Sequence, residues 1–417
     1  MLTSAAGGGL ERAVTILSTL LVLACSLMAA DAGGPPLTPK ERLGKLLFFD
    51  ENLSASGNQS CASCHDPKAG WAGGVEAINK GGGVYEASIP GRFGNRKPPS
   101  AAYATLAPKF RLVDSHSGVF AGGNFWDGRA TGDRLGNPAA DQALGPFLNP
   151  LEQALPDAKA LVGKVCAGTY AALFREVWGS GACDDAEKAY GFIGLSIAAY
   201  EGSSEVSAFS SKYDAFLAGK AKLTAQEQRG LQLFEGKGRC AACHPHKPGP
   251  GGTPPLFTDF QFDNIGAPRN PDNPFYANAT ANPKGSAWVD EGLGGFLSET
   301  PQYATYAKAQ IGKHRAPTLR NVDLRPSPGF VKSYSHNGYF KDLKALVHFY
   351  NTRSVLPACA GAGQKPGVDC WPQPEVPVNL NTGELGNLGL TGEEEDAIVA
   401  FLTTLSDGFT TRTTGSD

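Results

Sequence analysis

The sequence predicts a mainly α-helical protein made of two similar halves with long loops, on three observations. One pentapeptide, Cys-X-X-Cys-His, occurs twice, as Cys61-Ala62-Ser63-Cys64-His65 and Cys240-Ala241-Ala242-Cys243-His244. The stretch ahead of each copy also repeats. Leu37-Thr38-Pro39-Lys40-Glu41 through Phe48 matches Leu223-Thr224-Ala225-Gln226-Glu227 through Phe234, with Leu, Thr, Glu, Gly, Leu and Phe at the same offsets. Strand-like alternation is sparse, while 53 glycines and 30 prolines in 417 residues call for extended irregular connections.

Taken from the N-terminus, residues 1–32 read as an export signal: Arg12, the apolar run Ala13 to Leu23, then small residues with Ala30-Asp31-Ala32 as an A-x-A cleavage site. The run is too short to read as a membrane span. Val22-Leu23-Ala24-Cys25 resembles a lipoprotein box with Cys25 as the lipidated residue, but Leu23 is not the small residue usual there. Either reading exports the chain, and a periplasmic location is expected. Thr38 and Thr224 each precede a helically spaced apolar pattern and are followed three residues later by Glu41 and Glu227, the signature of a capping box. Each predicted helix then runs through a glycine-containing loop into its CxxCH. Closing helices are expected at Ala186 to Tyr200 and from Thr391 through Leu402. The expected domains are therefore 33–220 and 221–417.

The pentapeptide is the attachment signature of a c-type haem. Both thiols add to the porphyrin vinyl groups and the adjacent histidine reaches the iron, so all three must lie on one short turn. A redox dithiol or half a zinc site would not need the trailing histidine. Two covalent haem c groups follow, held by Cys61, Cys64 and His65 and by Cys240, Cys243 and His244. Beyond these and Cys25, the cysteines left are Cys166, Cys183, Cys359 and Cys370. An even set in an oxidising compartment suggests disulfides. Neighbour pairing, Cys166 with Cys183 and Cys359 with Cys370, is one of the three connectivities four cysteines allow.

Composition narrows the partners. The chain is 41% hydrophobic and 18% charged with net charge -3, so it carries no polyelectrolyte signature, and nucleic acid is not an expected partner. The only methionines are Met1 and Met28, both inside the export segment. Neither haem can have the His/Met ligation common in electron-transfer cytochromes, and sixth ligands must come from His, Tyr or Lys, or be absent.

Longer motifs carry a resemblance. Asn124-Phe125-Trp126-Asp127-Gly128-Arg129-Ala130 resembles the FWDGRA segment of bacterial dihaem cytochrome c peroxidases and MauG-like enzymes. Gln142-Ala143-Leu144-Gly145-Pro146 through Glu152 is similar to that family's distal segment, and Ala316-Pro317-Thr318-Leu319-Arg320-Asn321-Val322 and Tyr334-Ser335-His336-Asn337-Gly338 to its TPTLRNV and YxHNG blocks. The resemblance spans nearly the whole chain after the export signal, in order.

It implies a division of labour. The N-terminal haem would bind hydrogen peroxide, with Glu152 as acid/base and Gln142 and Pro146 beside the iron. Heterolysis needs a proton moved from the inner to the outer peroxide oxygen, which a positioned carboxylate can do. High-valent iron generated there would be shared with the C-terminal haem through Trp126, whose oxidisable indole suits a relay. Tyr350 stands fourteen residues beyond His336, where the peroxidases proper carry an axial methionine and MauG-like enzymes a tyrosine. A phenolate is a hard donor favouring higher iron states. His348 is the rival ligand, expected to point elsewhere on a helical turn. His336 is expected near the C-terminal haem and Arg320 at a haem propionate; His116, His246 and His314 are read as surface or structural. The family's calcium ion between the haems is set in doubt by Lys97, which stands in Arg96-Lys97-Pro98-Pro99-Ser100 where asparagine is frequent. An ammonium cannot ligate a cation, although the carbonyls of Val331 and Ser333 remain. Gly238 stands where protein-oxidising relatives can carry a tryptophan, implying a different exit residue or substrate.

The expected function is thus a MauG-like dihaem oxidoreductase that uses peroxide to oxidise a protein side chain or a small redox partner. The alternatives are peroxide detoxification with electrons from a small cytochrome or cupredoxin, and a non-enzymatic electron-transfer cytochrome. A haem-based sensor would share the open iron but not need Glu152. The resemblance leaves a homodimer open.

Overall fold

Six helices frame the molecule: α1 (Pro39–Phe49), α2 (Pro138–Leu148), α3 (Ala186–Glu201), α4 (Ala225–Glu235), α5 (Leu343–Thr352) and α6 (Gly392–Thr403). The computed structural model describes residues 35–410; the segment expected to be an export signal, Cys25 and both methionines lie outside them. Shorter helices and turns fill the connections, and the strands are limited to two small antiparallel pairs, Arg111–Asp114 with Val119–Ala121 and Phe262–Asp263 with His314–Arg315. The protein is mainly helical. Among the described residues, no helix is long and apolar enough to cross a membrane.

The capping boxes form as the sequence requires. Thr38 Oγ1 accepts the Glu41 amide at 3.3 Å while Glu41 Oε2 accepts the Thr38 amide at 2.7 Å. Thr224 and Glu227 reproduce this at 3.2 and 2.7 Å, and Thr391 with Glu394 at 3.2 and 3.1 Å. Each cap is worth about 1 kcal/mol. They fix where both haem-motif helices and the last helix begin.

In each half the opening helix crosses the closing one so closely that only glycine fits. A Cβ on Gly44 would lie 1.9 Å from Ser196 O and 2.9 Å from Tyr200 Cβ. A Cβ on Gly230 would lie 1.9 Å from Ala397 O and 2.8 Å from Phe401 Cβ. Around the first crossing, Leu43, Leu47, Phe48, Ile193, Ile197 and Tyr200 form one buried cluster. Around the second, Leu233, Phe234, Phe257, Ile398, Phe401 and Leu405 form another. A third cluster draws Phe110 and Phe120 together with Phe262, Leu293 and Leu297, tying segments that precede and follow α4.

Disulfides join Cys166 to Cys183 and Cys359 to Cys370. The first ties the short helix Ala158–Ala167, which packs beside α3, to the turn that leads into α3. Cys61, Cys64, Cys240 and Cys243 are free thiols.

Alanine at Gly44 or at Gly230 forces backbone apart at a crossing. Each substitution is expected to cost about 3 kcal/mol or more, read as a lowered denaturant midpoint of the two-haem protein. An equal substitution at exposed Gly163, where a Cβ meets nothing, should leave the midpoint unchanged or raised.

Candidate haem sites and the seam between them

Cys61–Cys64 forms a single helical turn begun by Ser60, and His65 caps it. The ring turns so that Nδ1 lies 3.1 Å from the Trp71 carbonyl, and the Pro99 carbonyl also faces the ring. The second motif repeats the arrangement: His244 Nδ1 lies 2.7 Å from the Phe257 carbonyl. Trp71 and Phe257 both sit in the left-handed region, at φ 59° and 53°. A side chain there costs about 1 kcal/mol or more, and in return the preceding chain turns its carbonyl onto the imidazole. Such a bond fixes the tautomer that presents Nε2 to a metal.

Above the second motif lies a cavity of ≈ 240 Å³, into which Cys240, Cys243, His244 and Tyr350 face. Its walls include Leu343, Val347, Leu390, Ile398 and Leu402. At its far side stand Trp126, His314, Arg315 and His336. The Tyr350 hydroxyl makes no hydrogen bond among the described residues. Burial pushes its titration upward, and the Cys243 and Cys240 thiols beside it push the same way. His348, one side of the same helix away, gives Nδ1 to Glu395 Oε1 at 2.8 Å and is turned from the cavity.

The far wall is a seam where the repeat meets itself. Asn124 to Ala130 and Tyr334 to Phe340 form the same closed turn, each bridged end to end, with Phe125 and Ser335 left-handed at φ 63° and 66°. Trp126 and His336 hold equivalent places in the two turns, and their rings meet edge to face at 6.4 Å. Trp126 Nε1 donates to Lys97 O at 2.8 Å, the Lys97 amide to His336 O at 2.8 Å, and the Arg315 amide to Trp126 O at 2.8 Å. The indole cannot swing.

His314 stacks flat on His336, centroids 3.6 Å apart. His314 Nε2 lies 3.3 Å from Asp290 and His336 Nε2 lies 3.7 Å from Glu375, yet neither nitrogen has a hydrogen-bond partner. Burial, helped by His336, pulls His314 down to about 4, so it is a neutral ring at pH 7. Arg96 grips Asp290 with two nitrogens at 2.6 Å and Asp127 with a third at 2.5 Å. Burial alone would raise both carboxyls; Arg96 holds Asp127 below and Asp290 well below the ordinary value.

The structure separates two arginines that the sequence does not. Arg320, expected at a propionate, is buried and forks onto Asp214 at 2.9 and 2.8 Å, with Nε on Pro255 O. Arg315 has no side-chain hydrogen bond or ion pair among the described residues, and burial pulls it down to about 10. Arg315 and His314 are the residues that sequence reading missed. Their only signal is adjacency to the Ala316–Val322 block. His116 is exposed and His246 is buried against Glu235.

On the first side, α2 carries Gln142 and Pro146, both half-buried, and the turn after it carries Glu152. The Glu152 amide donates to Asn149 O and its carbonyl accepts from Ser88. Burial raises its carboxyl above the ordinary value of 4.5, against the opposing pull of Arg129 and Asn149. Its charge bears on both Cys61 and Cys64, so carboxyl and haem motif share one site. Lys97, suspected to exclude calcium, is buried with Nζ on Pro98 O at 3.0 Å, and burial lowers it to about 8. The Val331 carbonyl already accepts from Asn79 at 3.1 Å. These residues offer no support for a calcium ion.

Free thiol pairs on turns, pinned histidines and an amphiphilic cavity with an unpaired arginine fit an apolar macrocycle bearing carboxylates. Fold and sites together define a duplicated, mainly helical chain with two c-type haem-attachment motifs. Residues 38–222 match the family model of the di-haem cytochrome c peroxidases. The methylamine utilization protein MauG of Paracoccus denitrificans is 34% identical over 394 residues, 94% of each chain. The cytochrome-c peroxidase IdrP1 of Denitromonas iodatirespirans is 30% identical over 92% of this chain and 89% of its own. The crystal structure of the diheme peroxidase BthA from Burkholderia thailandensis superposes with TM-score 0.74 at 33% identity, covering 89% of this chain and 87% of that one. The chain belongs to the dihaem cytochrome c peroxidase and MauG family, which implies two c-type haems and peroxidase-type oxidoreductase chemistry.

Replacing Arg96 by leucine would strand two buried carboxylates, at a cost of about 3–5 kcal/mol. Carboxyls whose folded pKa is depressed stabilise the fold above their unfolded pKa and lose that contribution as pH falls. An acid titration followed by circular dichroism should show R96L unfolding at higher pH than the parent.

Proposed function

We propose that this protein is an exported MauG-like oxidoreductase in which hydrogen peroxide reacts at the N-terminal haem and oxidising equivalents reach a protein side chain or small redox partner by way of the C-terminal haem. The observation carrying this reading is Tyr350: its unpartnered hydroxyl faces the same cavity as His244, while His348 is committed to Glu395. A tyrosinate ligand favours the oxidised side of iron chemistry over the reduced side. That suits storage of an oxidising equivalent better than simple electron delivery.

The haems, when attached, supply iron that accepts two oxidising equivalents from peroxide. The chain's residues do the rest. Cys61 and Cys64 in domain 33–220, and Cys240 and Cys243 in domain 221–417, hold the porphyrins; His65 and His244 ligate through Nε2. Glu152 takes a proton from one peroxide oxygen and returns it to the other. Burial moves its titration upward, the direction an acid/base that must both accept and give a proton needs. Gln142 and Pro146 would line the space beside the bound haem and orient the small substrate. Trp126, held by Lys97 O, passes electrons across the seam. Arg315, which has no carboxylate partner among the described residues, would receive a propionate carboxylate.

The reading is tested by EPR of the ferric protein before and after stoichiometric peroxide. One high-spin and one low-spin signal are expected, both lost on peroxide; two low-spin signals indifferent to peroxide would sink it. Tyr350→Phe should abolish the low-spin signal and His348→Ala should retain it. Glu152→Gln should keep both haems yet slow the peroxide reaction about 10²–10⁴-fold. In the parent the rate should fall with acid through an inflection above 4.5, because the carboxylate form is the one that accepts the proton. The variant should lack that inflection.

A further inference from the structure

The duplication lets the two halves be compared residue by residue, and one pair differs in a way the mechanism above does not use. Tyr200 against Gly44 corresponds to Phe401 against Gly230. The next residues are Glu201 and Leu402. Leu402 is 5% exposed and lines the cavity over Cys240 and His244. Glu201, at the end of α3, is 3% exposed, and its charge bears on Cys61. The same position in the repeat is thus buried in both halves, apolar beside one haem motif and acidic beside the other.

Glu201 has no structural reason to be acidic. Its carboxyl makes no hydrogen bond among the described residues, and Oε2 is fully buried without a partner. Ser203 Oγ, two residues on, is likewise unpartnered. No lysine, arginine or histidine moves its titration; burial alone pushes it up to about 8. The titratable group set against it is the Cys61 thiol of the short helix, with Glu152 also bearing on that sulfur. On its own helix Tyr200 gives its hydroxyl to Glu205, which Lys45 from α1 neutralises. Cys61 is an attachment residue and not an iron ligand. In the other half, no carboxylate bears on Cys240.

We propose that Glu201 couples proton release to electron loss at the N-terminal haem. This rests on the assignment of Cys61, Cys64 and His65 to that haem. When the haem passes one electron to an external acceptor, its charge rises by one. The Glu201 O–H bond breaks, the proton goes to water, and the carboxylate left behind offsets the new charge. On reduction by one electron the proton returns. An added charge in surroundings of low polarity is costly unless a neighbour compensates it. In the second half Leu402 takes this place, and the carboxyls that bear on that motif, Asp263, Glu384 and Asp259, act on Cys243.

The test is a mediated spectroelectrochemical titration of the two-haem protein between about pH 6 and pH 9, a window spanning the raised carboxyl. In the parent, the N-terminal haem should become easier to oxidise as pH rises, its oxidation constant growing by up to tenfold per pH unit. Glu201→Gln, and Glu201→Leu which copies the other half, should flatten that dependence, and Glu201→Asp should retain it. The slope of the C-terminal haem should be the same in all four proteins. A flat parent, or a slope that survives in both the Gln and Leu variants, overturns the proposal. Mass spectrometry separates the two readings: absence of haem on the Cys61–Cys64 peptide overturns both, while a flat slope with haem attached overturns this one alone.

Discussion

The contact on which the rest depends is the bare crossing of first and last helix in each half. Backbone meets backbone at Gly44 and Ser196, and again at Gly230 and Ala397, with no side chain between. Close approach brings Phe48 and Tyr200, or Phe234 and Phe401, edge to face at 5.6 and 5.2 Å, and the aromatic layer so formed backs each CxxCH turn. Without it, Leu402 and Ile398 would not line the cavity, and the thiols would have no apolar surface at their side. Packing of this density tolerates no added methyl group. The glycine is therefore a condition of the haem sites and not an ornament of the helices.

Duplication explains the seam as well. Two copies of one turn bring Trp126 and His336 together because they are the same residue of the repeat, and the two rings meet where the two halves touch. Buried charge holds that contact: Arg96 from the first half reaches Asp290 in the second, and Lys332 spreads its three N–H groups over Ala69, Asn321 and Leu324 carbonyls. Such groups tolerate burial only when their partners are complete. The price in mobility is plain, since the indole N–H and the main-chain carbonyl of Trp126 are both engaged.

Much of this was legible in the chain. The two pentapeptides, the threonine–glutamate caps and the repeated apolar spacing are local signals, and helix starts at Pro39, Ala225 and Gly392 follow from them directly. Tyr350 and Glu152 came from longer motifs read by resemblance. What escaped was whatever depends on partners distant in sequence. Arg320 and Arg315 are five residues apart and chemically identical; only the fold shows that Asp214, far upstream, occupies one and leaves the other free. His314 looked like any surface histidine until Gly312 and the stack on His336 placed it at the cavity. Glu201 sits at the end of an amphipathic helix, where a charged residue is ordinarily solvated, and its burial follows from α1 crossing over it.

The proximal side of each site is pinned by a main-chain carbonyl, Trp71 O for His65 and Phe257 O for His244. No point mutation deletes a carbonyl. Heritable variation in how basic each imidazole is must therefore be narrow, whereas the rest of each site is built from replaceable side chains: Gln142, Pro146 and Glu152 in the first half, Tyr350 in the second. After gene duplication, one copy could drift towards peroxide chemistry and the other towards charge storage with no change to the half that grips the metal. The fold separates what descent may alter from what it must leave alone.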